Sequence, residues 1–464
     1  MAALGEGQRK ESIVKQLHFG LFENAQANDT GRATWRHPDN ERVNYDTLEY
    51  WTKIAEVCET GGLDFLFLAD AWGWAEVDGV RPDVASIEGL DLPRLDPFIV
   101  ASAILARTSS LGVVMTGSTL LEQPYAFARR MATLDQLSGG RIGWNIVTTG
   151  TADTAVKAFG VPMVAHDERY AMADDFAELV YKLWEGAWEP DALTKDKNGN
   201  FADPAKVHTI SHDGPYFKSE GYGNSAYSPQ GTPVLFQAGS SPAGRTFGGR
   251  HGECMFVGGG SVEQLAEHSR AIRAAAVDAG RSADSVKVMA EFRCVVGETK
   301  EDAERLYQVV LDSQTPDVTV ASYAWFTGLD LSSYDPQTPM TDLHTELSQS
   351  QVSRFAGKTV GDVLKDWHEH GAGSTAFLGS PEEIADRIIE LADGADLDGF
   401  LLAPVIQPGS TIDFVERVLP ILRERGVVGE SNGGSLRERL VGSDRATLPD
   451  NHPAARYRAT VAVA

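Results

Sequence analysis

Only three cysteines, Cys58, Cys254 and Cys294, occur in 464 residues. Far apart and odd in number, they exclude a disulfide scaffold and read as buried thiols of a reducing compartment. No apolar run approaches the roughly 18 residues of a membrane-spanning helix. The opening "MAALGEGQRKESIVKQ" lacks the apolar stretch of a signal peptide. Positive charge is also scarce: 41 Lys and Arg face 66 Asp and Glu, a net −25, which disfavours nucleic acid and membrane surfaces as partners. There is no P-loop and no G-x-S-x-G elbow. "GYGNSA" (221–226) has the letters of a dinucleotide fingerprint, but it sits in a polar loop with no strand expected before it. "HTISH" (208–212) and "HEH" (368–370) pair histidines without a third ligand at metal spacing, so no metal is expected. These absences leave a cytoplasmic, soluble chain, and 42% apolar residues suffice for a large core.

What is present is alternation. Strands are expected at "KQLHFGLF" (15–22), "FLFLAD" (65–70), "LGVVMTGST" (111–119), "GGRIGWNIVTTG" (139–150), "PVLFQAG" (233–239), "CMFVGG" (254–259), "VKVMAEFRCVVG" (286–297) and "GFLLAPVI" (399–406). Amphipathic helices separate them. In 168–185, Tyr170, Ala173, Phe176, Val180, Leu183 and Trp184 recur at helical spacing, and "SPEEIADRIIEL" (380–391) opens with a Ser380–Glu383 capping box. Eight strand–helix units in strict order argue for a parallel sheet closed into a (β/α)8 barrel, with an open doubly wound sheet as the competitor. The whole chain, 1–464, reads as one such domain. Stretches of about 186–231 and 312–379 break the rhythm as insertions that cover or shape the barrel mouth. The tail, about 427–464, shows no clear element and is expected to dock on the body or on a second copy of the chain.

A barrel enzyme places its site at the C-terminal ends of the strands. The polar residues expected there are Asp70, Thr116, Asn145, Ser240 and Ser241. Each alone has a structural reading, as a helix cap or an ordinary strand residue; their clustering on one face points to a ligand. Asn145 is the sharpest case, because a strand interior does not readily hold an amide without a partner. In "QAGSSPAGR" (237–245), Ser241 is a plausible N-cap with Pro242 at the first helical position and Arg245 one turn in, an end suited to phosphate. In "HDERYAMADDF" (166–176), His166 precedes a helix and shares a face with Tyr170. Phe19, Phe22, Trp72, Trp74 and Trp144 fall near strand ends, either as core or as the lining for a flat substrate.

"LSGGRIGWNIVTTGTADTAVKAFG", "HDERYAMADDF", "QAGSSPAGR", "FTGLDLSSYDPQTP" and "HPAARYR" together resemble one branch of the bacterial luciferase-like flavin-dependent monooxygenases. This is the branch of nitrilotriacetate monooxygenase, pristinamycin synthase and dibenzothiophene-sulfone monooxygenase. The resemblance runs over nearly the whole chain and implies a (β/α)8 TIM barrel that uses FMN, as FMNH2, with O2. It implies a separate NAD(P)H:flavin reductase as supplier, in keeping with the missing dinucleotide motif, and a homodimer or homotetramer. Carried over by position, the flavin contacts fall on Asp70, Thr116, Asn145, His166, Tyr170, Ser240 and Ser241. Asn145 would bond the polar edge of the isoalloxazine, Tyr170 with Ser240 and Ser241 would hold the phosphate, and Asp70 would face the ring or the ribityl chain. His166 is the expected catalytic proton donor. The expected reaction oxygenates a small aromatic or heteroaromatic substrate, with C–S, C–N or C–halogen cleavage as its possible ends. A deazaflavin-dependent dehydrogenase of the same superfamily and a non-catalytic flavin-binding protein are the alternatives.

Overall fold

A computed structural model describes residues 15–29, 31–148, 154–239, 241–259, 261–345, 347, 352–371, 375–429, 433–442 and 446–458. Its strands, in chain order, are β1 (His18–Asn24), β2 (Phe65–Ala69), β3 (Gly112–Ser118), β4 (Ile142–Val147), β5 (Thr209–Asp213), β6 (Lys218–Tyr222), β7 (Val234–Gln237), β8 (Cys254–Val257), β9 (Lys287–Val296), β10 (Thr375–Gly379) and β11 (Gly399–Leu402). Eight of them pair in parallel in the ring β1-β2-β3-β4-β7-β8-β9-β11, and β11 closes on β1 with His18 opposite Gly399. The closed barrel expected from the alternation is therefore what forms.

Alternate strand residues fill the barrel interior. Phe65, Phe67, Val114, Val234, Phe236, Cys254, Met289 and Leu401 form one buried cluster. Two glycines make room for its rings: a Cβ on Gly20 would lie 2.2 Å from the Phe65 ring, and one on Gly143 would lie 2.7 Å from that of Phe236. The opposite strand faces pack on the helices. There Trp144 meets Phe127 at 4.7 Å and Phe176 at 5.8 Å between ring centres, and Phe19 meets Phe400 and Phe414. Phe19 and Trp144 are thus core residues outside the barrel lumen, not substrate lining. Trp72, by contrast, is 41% exposed.

The interruptions differ from expectation in three ways. The 186–231 stretch carries the antiparallel β5–β6 hairpin, and its Phe217 packs on Phe176 of the helix His166–Tyr181. It clads the helical layer rather than the mouth. "GYGNSA" does follow a strand, since β6 ends at Tyr222, but that strand is a hairpin arm with no helix after it. The 312–379 stretch is not wholly an excursion, because its last five residues are β10, a ninth parallel strand on the C-terminal half of β9. The remainder includes the helices Pro316–Thr327 and Val360–His370, which share a small core around Tyr323 and Trp367.

The tail does contain an element. Ser435 and Glu438 form a capping box that starts the helix Leu436–Val441, and Leu436 and Leu440 enter the barrel's inner cluster from below. Arg437, fully buried, is bonded to both Glu253 oxygens at 2.8 and 2.9 Å and to the carbonyls of Gln230, Thr232 and Ala446. Further on, His452 donates from Nε2 to the His251 carbonyl at 2.9 Å. The tail docks on the body and closes the N-terminal end of the barrel.

Candidate active site

At the C-terminal end, β3 and β4 place Thr116 directly beside Asn145. Both are inward-facing continuations of the alternation that buries Val114 and sets Gly143 against Phe236, and both are nearly inaccessible. Thr116 spends its hydroxyl proton on the Leu68 carbonyl at 2.9 Å. Its oxygen is left to accept from Asn145 Nδ2 at 3.0 Å. The amide is thereby oriented, and Asn145 Oδ1 is a buried acceptor with no partner among the described residues. An unmet buried carbonyl costs about 1–3 kcal/mol, so it marks a place where a ligand donor belongs.

Next along the ring, β7 runs into the helix Pro242–His251. Ser241 caps it, accepting from the Gly244 amide at 3.1 Å, with Pro242 at the first position as the sequence predicts. A Cβ on Gly244 would lie 2.8 Å from the Tyr170 hydroxyl and 3.0 Å from Gly239 Cα. Both glycines are needed for the turn and the tyrosine to approach this helix end. Burial raises the Tyr170 pKa, while hydrogen bonds to Ser241 and Thr148 oppose the rise. The result is a hydroxyl-lined cradle at a helix N-terminus, complementary to an anion. Ser240, between Gly239 and Ser241, lies outside the described residues.

His166 is the first residue of its helix, with Ala165 at the cap, rather than a residue preceding it. Its ring meets that of Tyr170 edge-on at 5.4 Å, as the i, i+4 spacing requires. Asp167 Oδ1 lies 2.8 Å from its Nδ1, so Nε2 is the ring nitrogen not engaged by Asp167.

Asp70 stands in a separate cluster. It follows β2, and burial pushes its carboxyl up to about 6, against the pull of the Arg94 guanidinium. Arg94 Nη1 is 3.6 Å from Asp70 Oδ1, and Arg94 Nη2 donates to Gln26 Oε1 at 2.8 Å. The Trp325 ring lies 5.4 Å from this guanidinium, and Trp325 Nε1 donates to the Gly73 carbonyl. The helix Pro316–Thr327 is thereby fixed against the loop after β2. The structure therefore joins Thr116 to Asn145 and His166 to Tyr170 and Ser241, and leaves Asp70 with Arg94.

Sequence reasoning missed Gln26, Arg94, Gln237 and Trp325. Gln237 carried the same signal as Asn145, an amide in an apolar strand, and its Oε1 is also buried without a partner among the described residues. Among the described residues, no group of three or more His, Cys, Asp or Glu side chains is placed to hold a metal. No helix among them is long and apolar enough to cross a membrane.

A family model described as luciferase-like monooxygenase matches residues 17–396. A solved riboflavin lyase, determined with modified FMN and the substrate riboflavin, is 71% identical with a TM-score of 0.95, over 96% of this chain and all of that one. The dimethyl-sulfide monooxygenase of Hyphomicrobium sulfonivorans is 39% identical over 96% of this chain and 94% of its own. The dibenzothiophene-sulfone monooxygenase of Rhodococcus erythropolis (strain XP) is 34% identical, covering 92% and 96%.

Proposed function

Because the chain belongs to the luciferase-like monooxygenase family, we propose that it is an FMNH2-dependent monooxygenase whose substrate is itself a flavin, riboflavin. The observation that carries the substrate is the 71% identity to the riboflavin lyase over nearly the full length of both chains. Riboflavin contains neither sulfur nor halogen, so of the three cleavages only C–N scission applies. Its one C–N bond outside the ring system joins the ring to the ribityl chain.

The residues present suit FMN. Asn145 Oδ1, bare and buried, accepts from a ring N–H, and Thr116 keeps the amide turned that way. Tyr170 and Ser241 at the helix end, with Ser240 beside them in sequence, would hold the phosphate. Asp70 faces the polar part of the same cofactor. The chemistry that bound FMNH2 would supply is two electrons for the reduction of O2, with one oxygen atom going to the substrate and the other to water. His166 exchanges the proton through Nε2, its Nδ1 being held by Asp167. The helix Pro316–Thr327, pinned by Trp325, keeps water from the mouth. A separate NAD(P)H:flavin reductase supplies FMNH2, and the cytoplasmic enzyme works as a homodimer or homotetramer.

The test couples the enzyme to a flavin reductase with NADH, catalytic FMN, O2 and excess riboflavin. Separation of the products by chromatography is expected to show one ribityl fragment released per riboflavin consumed, and none under nitrogen. Hydrogen peroxide with riboflavin intact would overturn the substrate assignment.

A further inference from the structure

The cluster around Arg94 holds more donors than it uses. Gln26 is fully buried, and its Oε1 is spent on Arg94, but its Nε2 has no partner among the described residues. Arg94, with only 5% of its side chain exposed, likewise leaves Nε bare. Two orphaned donors side by side are costly in a folded chain, and a buried group of this kind is usually met by a ligand or an ordered water.

Their position argues for a ligand. Gln26 lies two residues beyond β1 and Asp70 one residue beyond β2, so the cluster sits over two adjacent strands at the mouth of the barrel. Asp70, paired with Arg94, follows β2, which lies next in the ring to β3, the strand that carries Thr116. The Trp325 ring closes the other side of the guanidinium. A ligand here would lie beside the cofactor, where oxygen transfer requires the substrate to be. Arg94 is planar and cationic and Gln26 donates from a planar amide, so the pair matches planar carbonyl acceptors.

We infer that Gln26 Nε2 and Arg94 Nε form the substrate's recognition edge and donate to the ring carbonyls of the riboflavin pyrimidinedione. This rests on the riboflavin reading but fails separately from it. The role is selective: the pair accepts flavin-like rings with exocyclic carbonyls and leaves sulfides and alkanes unanchored, because two buried donors would stay unpaired.

Two variants test it. Gln26→Glu keeps the oxygen that Arg94 bonds and replaces only the free donor, so the cluster stays paired. Arg94→Lys keeps the charge and removes the Nε donor. With enzyme saturated in oxidised FMN, calorimetry of riboflavin and of lumiflavin, which lacks the ribityl chain, is expected to show each variant binding both about tenfold more weakly. FMN affinity, from fluorescence quenching, is expected to stay within about twofold of wild type. Loss of FMN affinity instead would assign the donors to the cofactor and overturn the inference. Weakened riboflavin with unchanged lumiflavin would assign them to the ribityl hydroxyls, and no change in either would make the cluster purely structural; both overturn it. A wild-type enzyme that binds riboflavin through these residues without cleaving it would break the proposed reaction and leave the recognition edge standing.

Discussion

Two buried arginines, one at each end of the barrel, are bonded in different ways. At the bottom, Arg437 of the tail makes a two-point contact with Glu253 and reaches three carbonyls besides. At the mouth, Arg94 has one short bond to Gln26, a looser pairing with Asp70 and a bare Nε. Both guanidiniums have left water, and only the first is fully repaid by protein. Arg437 is bonded through every nitrogen, whereas Arg94, over the ends of β1 and β2, keeps Nε for the ligand inferred above. The same contrast separates Arg141, whose nitrogens reach the carbonyls of Leu105, Thr108, Leu111 and Ser138, from Asn145 a few residues later with its unmet oxygen.

Breaking the saturated end is expected to have the largest effect. Arg437→Met leaves Glu253 buried without its cation, and urea denaturation is expected to show a loss of about 3–5 kcal/mol. FMNH2 affinity of the folded variant should be unchanged; stability within about 1 kcal/mol of wild type would erase the contrast.

The mouth is expected to respond to pH instead. Burial raises the Asp70 carboxyl from 3.8 to about 6, so the folded chain holds that proton more tightly than the unfolded chain does. The resulting stability is fully present below pH 3.8 and is lost as pH rises through about 6. Asp70→Asn removes this slope. Between pH 4 and 7 the stability gap between wild type and variant is expected to change by about 2 kcal/mol, with wild type losing ground as pH rises. A gap independent of pH would mean that the carboxyl titrates normally.

The smallest expected effect is the most specific. Asn145→Leu removes an acceptor that the protein itself does not use, together with the Nδ2 bond to Thr116, so stability should change by no more than about 1 kcal/mol. Anaerobic titration is expected to show FMNH2 bound about tenfold more weakly. Wild-type affinity in this variant would mean that Asn145 does not touch the flavin.

Sequence and structure agree where the signal is periodic or local. Eight strands announced themselves as apolar runs, Ser241 and Pro242 as a helix start, and Asn145 as a misfit in its strand. β10 did not, because "TAFLG" is a five-residue run whose identity depends on the far half of β9. The tail helix carried a real signal in the Ser435–Glu438 pair, but at six residues it was too short to stand out. Gln26 and Arg94 were beyond reach for another reason. Their meaning lies in the bonds they fail to make, and a residue list does not count unmet donors.

The tail helix also sets the order in which the molecule is finished. The family-matching stretch ends at residue 396, yet the floor of the barrel's inner core is supplied by Leu436 and Leu440. During synthesis every barrel strand leaves the ribosome before the side chains that seal the lumen. A chain cut just after β11 carries the whole ring and both insertions, but its lowest layer of phenylalanines opens to water. A terminal truncation would therefore damage the centre of this protein, not its periphery.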